Sequence, residues 1–275
     1  MNLNNPADHL PEKEPNTSLL LTAEQEKQVR DEYGKPHYVY EVSDGDKTLR
    51  IYGLRHTFKI DEDLISSLNG FKPDLIMVEG NPPKQSNLKS LEEAFDWWGE
   101  TGGVLYLARE EGIKIISWDL KFKELIDEAY EEFSDEAVTG FLLGQAVKHI
   151  VQNRGNKMSY EAAKELLSKH TDMKEDFLSE DSLNSVSKKY AGKDLSDLDF
   201  DDGDVLAAPV GGGKTNEVSR WLGSRRDPTA VEKIWEHLSR FDRVFVVAGR
   251  SHAITWKPVF EGLMGEAKFL NQEEN

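Results

Sequence analysis

Pro73-Asp74-Leu75-Ile76-Met77-Val78-Glu79-Gly80 is the stretch on which the fold turns. Four successive apolar residues stand between a Pro-Asp turn signal and a glycine. A strand with one wet face alternates apolar and polar residues. An unbroken apolar run belongs to a strand covered on both faces, the habit of parallel strands flanked by helices. Two further runs repeat the pattern, Ile113 to Asp119 and Arg243 to Gly249, and the segment Ser90 to Gly112 between the first two reads as a helix. Strands alternating with helices predict an α/β fold built on a central, mostly parallel sheet with flanking helices.

Working outward, two β-rich runs between His37 and His56 flank Ser43-Asp44-Gly45-Asp46. Asp-Gly at that place predicts an N-terminal β-hairpin. Asp61 to Phe71 reads as a short helix. Residues 1–36 are polar, with Pro6, Pro11 and Pro15, and predict a loose arm holding a short helix near Thr22–Arg30. Residues 37–270 then form a single α/β domain, with a helical insertion at about 121–200. Within it Ser134 can cap a helix on which Ala137, Val138, Phe141, Leu142, Ala146, Val147, Ile150 and Val151 recur at helical spacing. Gly140 and Gly144 fit ordinary close helix packing. A long helix after residue 215 is expected to break or restart near Pro228.

The chain has 275 residues, 34 Lys plus Arg against 51 Asp plus Glu, a formal charge of -17 and no cysteine. That field repels phosphate backbones and anionic membranes, so neither nucleic acid nor a membrane is an expected partner. Without cysteine there are no disulfides, thiolate metal sites or cysteine nucleophiles. The first residues carry no basic leader and only the short run Leu19-Leu20-Leu21. No stretch approaches the ~20 apolar residues of a membrane helix. A cytoplasmic protein acting on a small molecule or peptide is the expectation.

Ala208-Pro209-Val210-Gly211-Gly212-Gly213-Lys214-Thr215 nearly spells a phosphate-cradling loop. Such a loop must leave a buried strand and open a helix. The preceding stretch, Asp199 to Pro209, is acidic and a weak strand candidate, which argues against a nucleotide site. The whole segment reads instead as an acidic, then glycine-rich, pliable loop able to act as a lid. An EF-hand reading of Asp197 to Ala208 fails at the required glycine and glutamate.

The ends of the strands carry more chemistry. Gly53-Leu54-Arg55-His56 and Gly249-Arg250-Ser251-His252 both place a histidine three residues after a glycine, directly behind an apolar run. Glu79 closes a third run. In α/β sheets the carboxyl ends of the strands form the ligand crevice, so His56, Glu79 and His252 can converge there. Two imidazoles and a carboxylate suit a divalent metal that activates water; without metal they suit general-base catalysis. The glycines are expected to let the backbone bend sharply at the sheet edge. Arg225-Arg226-Asp227 adds a guanidinium able to steady an oxyanion, with Asp227 holding it in place.

In this order, from about His37 to Gly265, the motifs resemble the TraB/PrgY–Tiki superfamily, which takes in the ChaN-like haem-uptake proteins and the erythromycin esterases. The resemblance implies an α/β fold with a cleft over the strand ends. It places His56 and His252 in the paired Gly-x-x-His roles, Glu79 in the acidic role and Arg226 in the basic one. It also sets Asp119 at an acidic position seen in part of the family. The implied activity is hydrolysis of an amide or ester bond with Mn, Co or Zn. The alternative is haem or anionic-ligand binding without turnover, with His149, His252 or a tyrosine on the iron. Arg55 and Arg250 depart from the pattern: positive charge there discourages a metal and welcomes an anionic substrate group.

Overall fold

The computed structural model describes residues 13–55, 59–80, 88–152, 158–170 and 175–270. Two compact units emerge, one made of residues 1–119 and 227–275, the other of Leu120–Arg226.

The first unit opens with α1 (Ala23–Tyr33), started by a capping box in which Thr22 and Gln25 satisfy each other's backbone N–H groups. The predicted hairpin follows as β1 (Tyr38–Asp44) and β2 (Lys47–Leu54), paired antiparallel from Tyr38 opposite Gly53 to Asp44 opposite Lys47. Next come α2 (Glu62–Phe71), β3 (Leu75–Val78), α3 (Leu91–Glu110) and β4 (Lys114–Ser117).

The chain then enters the second unit, which is helical throughout: α4 (Phe122–Glu132), α5 (Asp135–Val147), α6 (Tyr160–His170), α7 (Glu180–Ala191) and α8 (Phe200–Ala207). The helix α9 (Lys214–Leu238) begins in that unit and ends in the first. β5 (Arg243–Gly249), α10 (Arg250–Met264) and the two-residue β6 (Lys268–Phe269) complete the chain.

The six strands form one sheet in the order β4-β3-β5-β2-β1-β6. β4, β3, β5 and β2 run parallel; at one side β1 pairs antiparallel with β2, and β6 antiparallel with β1. The apolar runs are explained by burial on both faces. Leu75, Met77, Val244 and Val246 face Ala230, Ile234, Trp256 and Phe260 of α9 and α10. Ile76, Val78, Phe245 and Val247 face Leu64, Leu68 and Val104 of α2 and α3. Alternate residues of β3 and of Val244 to Val247 in β5 thus enter different cores, and none is left to be polar, whereas edge strand β4 is only partly covered.

The helical unit has its own core, in which Phe141, Leu142, Ala146, Leu183, Leu206, Val218 and Leu222 take part. It reaches past residue 200 because α8 and the first half of α9 pack into that core. A Cβ on Gly144 would lie 2.6 Å from Leu206 Cβ, and one on Gly140 would lie 2.7 Å from Thr215 Cγ2. The glycines let α5 approach its neighbours at backbone distance, as their spacing indicates.

Three local expectations are corrected. The acidic stretch before the glycines is a helix, α8, with Asp199 and Asp202 forming a reciprocal cap at its start. The Lys193 ammonium and the capping N–H of Asp202 hold the Asp199 carboxyl below the ordinary carboxylate range. The glycine segment is pinned rather than pliable: Asn216 donates to the Val205 and Ala208 carbonyls, and Arg220 to those of Pro209 and Gly211. Finally, α9 runs without a break through Pro228. Among the described residues, no helix is long and apolar enough to cross a membrane.

Candidate functional site

β3 and β5 are neighbours, yet the chain leaves them in opposite directions. From β3 it passes to β4 at one edge of the sheet, and from β5 it passes to β6 at the other. Connections that diverge in this way open a crevice at the carboxyl ends of the two strands. Glu79 follows β3 directly, and His252 stands in the first turn of α10, directly after β5. Both belong to the first unit.

Glu79 is fixed by the backbone beside it. The Gly249 N–H donates to Glu79 Oε2 at 2.9 Å, which leaves Oε1 to face the His252 ring, 3.8 Å from Nε2. Gly80 takes the chain away with φ of 70°, a left-handed turn for which glycine is the natural residue. Its N–H points to Asp119 Oδ2 at 3.4 Å.

The far side of the imidazole is held more tightly. His252 Nδ1 lies 2.6 Å from Asp227 Oδ1, and the Trp256 indole N–H donates to the same oxygen at 2.7 Å. A carboxylate can only accept, so the Nδ1 proton belongs to the histidine and Nε2 is left as the basic nitrogen of the neutral ring. His252 and Trp256 are four residues apart on α10 and therefore share a face. Their rings stack with centroids 5.4 Å apart, while Trp118 meets both edge-on at 5.4 and 4.9 Å. Trp118 is itself anchored, its N–H donating to the Val247 carbonyl at 2.9 Å. The imidazole is thus set in an aromatic wall with 17% of its side chain exposed, and Asp227 with 15%.

The expected residues fare differently. Glu79 and His252 come together. His56 lies outside the described residues. Arg226 is half-buried on α9 as the last residue of the second unit. Asp227, expected to hold a guanidinium, offers its Oδ1 to His252 and Trp256 instead. His149 sits in the second unit, on the π-helical segment Lys148–Gln152.

The glycines of the two Gly-x-x-His stretches do not mark sharp bends, since neither has a positive φ. Gly53 is required by close approach: a Cβ there would fall 2.5 Å from Ala253 Cβ, where α10 crosses β2. Arg250 turns to the Lys35 carbonyl at 2.6 Å, and burial with Arg30 nearby lowers its pKa.

Sequence reasoning missed Trp118 and Trp256. The spacing of His252 and Trp256 on one helical face was a signal for the second. Comparison of the chain with protein-family models, curated proteins and solved structures found no match.

Proposed function

We propose that the chain is a hydrolase of an amide or ester bond, with His252 as general base. The observation that carries this reading is the Asp227–His252 contact of 2.6 Å, with Nε2 turned toward a backbone-fixed carboxylate at 3.8 Å. Two acceptors at that separation can be bridged by one water donating to each at about 2.8 Å. A water so placed can lose a proton to Nε2 as its oxygen attacks a carbonyl carbon. When the C–N or C–O bond breaks, Nε2 returns that proton to the leaving group. Asp227 keeps the ring in the required tautomer and stabilises the imidazolium. Glu79 orients the water.

The donor set also fits a divalent cation. A metal-bound imidazole commonly gives its other nitrogen to a carboxylate, as His252 does to Asp227. Glu79 and His252 would hold the cation, which when bound would polarise a carbonyl or lower the pKa of water. The order of motifs resembling the TraB/PrgY–Tiki superfamily supports the same class of reaction.

The test is a panel of activated esters and peptides, assayed with chelator and then with Mn, Co or Zn. Wild type is expected to turn over at least one substrate class. His252→Gln should lose about 10²-fold or more, the usual contribution of a positioned base. His56→Ala should lose the metal-dependent part. Silence of wild type across the panel, with a Soret band on haem titration, would favour the ligand-binding reading instead.

A further inference from the structure

At the same carboxyl edge of the sheet, but on the side of α2, a second group of ligating side chains gathers. His37 immediately precedes β1, which lies two strands from β5 in the sheet, or about 10 Å at ~4.8 Å per strand. Asp61 caps α2 and Asp63 stands in its first turn. Asp61 uses Oδ1 to accept the Leu64 N–H at 2.9 Å, so its carboxylate is already oriented. Its Oδ2 faces His37 Nε2 at 3.5 Å. One ligand atom from each of His37, Asp61 and Asp63 lies within 4.8 Å of the others, and among the described residues no other set of three does this.

We infer that His37, Asp61 and Asp63 form a site for a first-row divalent cation, zinc or manganese by its imidazole and carboxylate donors. Acidic residues in the first turn of a helix are explained well enough by the helix dipole. That does not account for an imidazole brought from another element onto the outer oxygen of the capping carboxylate. Neighbouring ligands on one divalent ion stand roughly 3–4 Å apart, given metal–ligand lengths of about 2.0–2.2 Å. The 3.5 Å separation of Nε2 and Oδ2 meets this without rearrangement, and exposed Asp63 needs only a side-chain adjustment. The Tyr52 ring lies against His37 with centroids 5.4 Å apart, walling one side of the group. Imidazole with carboxylates selects zinc or manganese over magnesium or calcium, which prefer all-oxygen shells. Bound there, the ion would join the start of β1 to the start of α2, a cross-link that stabilises the first unit and requires no turnover.

The test is calorimetric titration of untagged protein with zinc alone and manganese alone, beside the visible spectrum of added cobalt. It is run on wild type and on the Glu79→Gln/His252→Gln double variant, which removes the other candidate cation ligands. Both proteins are expected to bind one equivalent at His37, Asp61 and Asp63, and metal should raise the Tm of both. Asp63→Asn, an exposed change, should weaken binding at least tenfold, and His37→Gln should abolish it along with the cobalt absorption. Binding that survives both His37→Gln and Asp63→Asn would overturn the inference. So would no uptake by the double variant at millimolar metal. Neither result bears on hydrolysis by His252.

Discussion

Replacing Asp227 by alanine should destabilise the first unit, whatever the protein acts upon. Asp227 Oδ1 accepts from two donors, Trp256 Nε1 at 2.7 Å and His252 Nδ1 at 2.6 Å. The Trp256 side chain is wholly buried, and an indole N–H can only donate. Without the carboxylate it is stranded, at a cost of about 1–3 kcal/mol. His252, still 17% exposed, can turn part of its demand to water and adds less. Alanine returns roughly half a kcal/mol through its better helix propensity on α9. The net loss is about 2 kcal/mol, or roughly 4–8 °C in Tm for a unit of this size. Scanning calorimetry is the assay, with the transitions of the two units fitted separately, because a single two-state fit need not hold for a two-unit chain. Asp227→Asn keeps one acceptor and should lose about half as much, since charge-assisted bonds are roughly twice as strong as neutral ones. Combining Asp227→Ala with Trp256→Phe isolates the pair. Once the indole N–H is gone, the aspartate change should cost less than about 1 kcal/mol. Equal cost in both backgrounds, or a Tm for Asp227→Ala within a degree or so of wild type, would refute the reasoning.

Other consequences follow from packing and burial. Gly144→Val should lower the Tm of the helical unit alone by overpacking worth about 1–3 kcal/mol, because a Cβ there meets Leu206 Cβ and the Ala207 backbone; an unchanged Tm would mean that α5 and α8 are not so close. Burial raises the Glu26 pKa above 4.5, against opposing pulls from Arg30 and a hydrogen bond to Ser251. A raised carboxyl pKa contributes stability below 4.5 that is lost as pH rises through the folded-state value, so the Tm of Glu26→Gln should gain on wild type as pH rises above 4.5. A gap that stays constant with pH would count against that burial.

Much of the fold was legible because its strands are buried on both faces. Leu75 to Val78 and Val244 to Ala248 cannot be anything but apolar when neighbours in the chain enter different cores. The Asp44-Gly45 turn and the Ser134 cap were legible because each is a local device set by neighbouring residues. The errors share a cause as well. Asp199 to Ala207 has the composition of a loop, yet Asp199 and Asp202 cap one another and start a helix that tertiary packing completes. A proline such as Pro228 normally ends a helix, but Ala230, Val231 and Ile234 beyond it are buried against the sheet and carry α9 onward. β6 is two residues long, too short for any periodicity.

At the site, Glu79 and His252 were legible from their places at strand ends. Asp227 was noticed for the wrong partner. Its neighbours in the sequence are arginines, whereas its neighbours in space, His252 and Trp256, come from a helix 25 and 29 positions away. His37, Asp61 and Asp63 gave no signal, since only the hairpin register brings the start of β1 beside α2.

The most direct measurement is a nitrogen-15 spectrum of histidine-labelled protein, with the His252 signal assigned by His252→Gln. In its neutral form the ring should carry its proton on Nδ1, with that proton far downfield, and Asp227→Asn should lose this signature. A ring protonated at Nε2 instead, or a spectrum indifferent to Asp227→Asn, would contradict it.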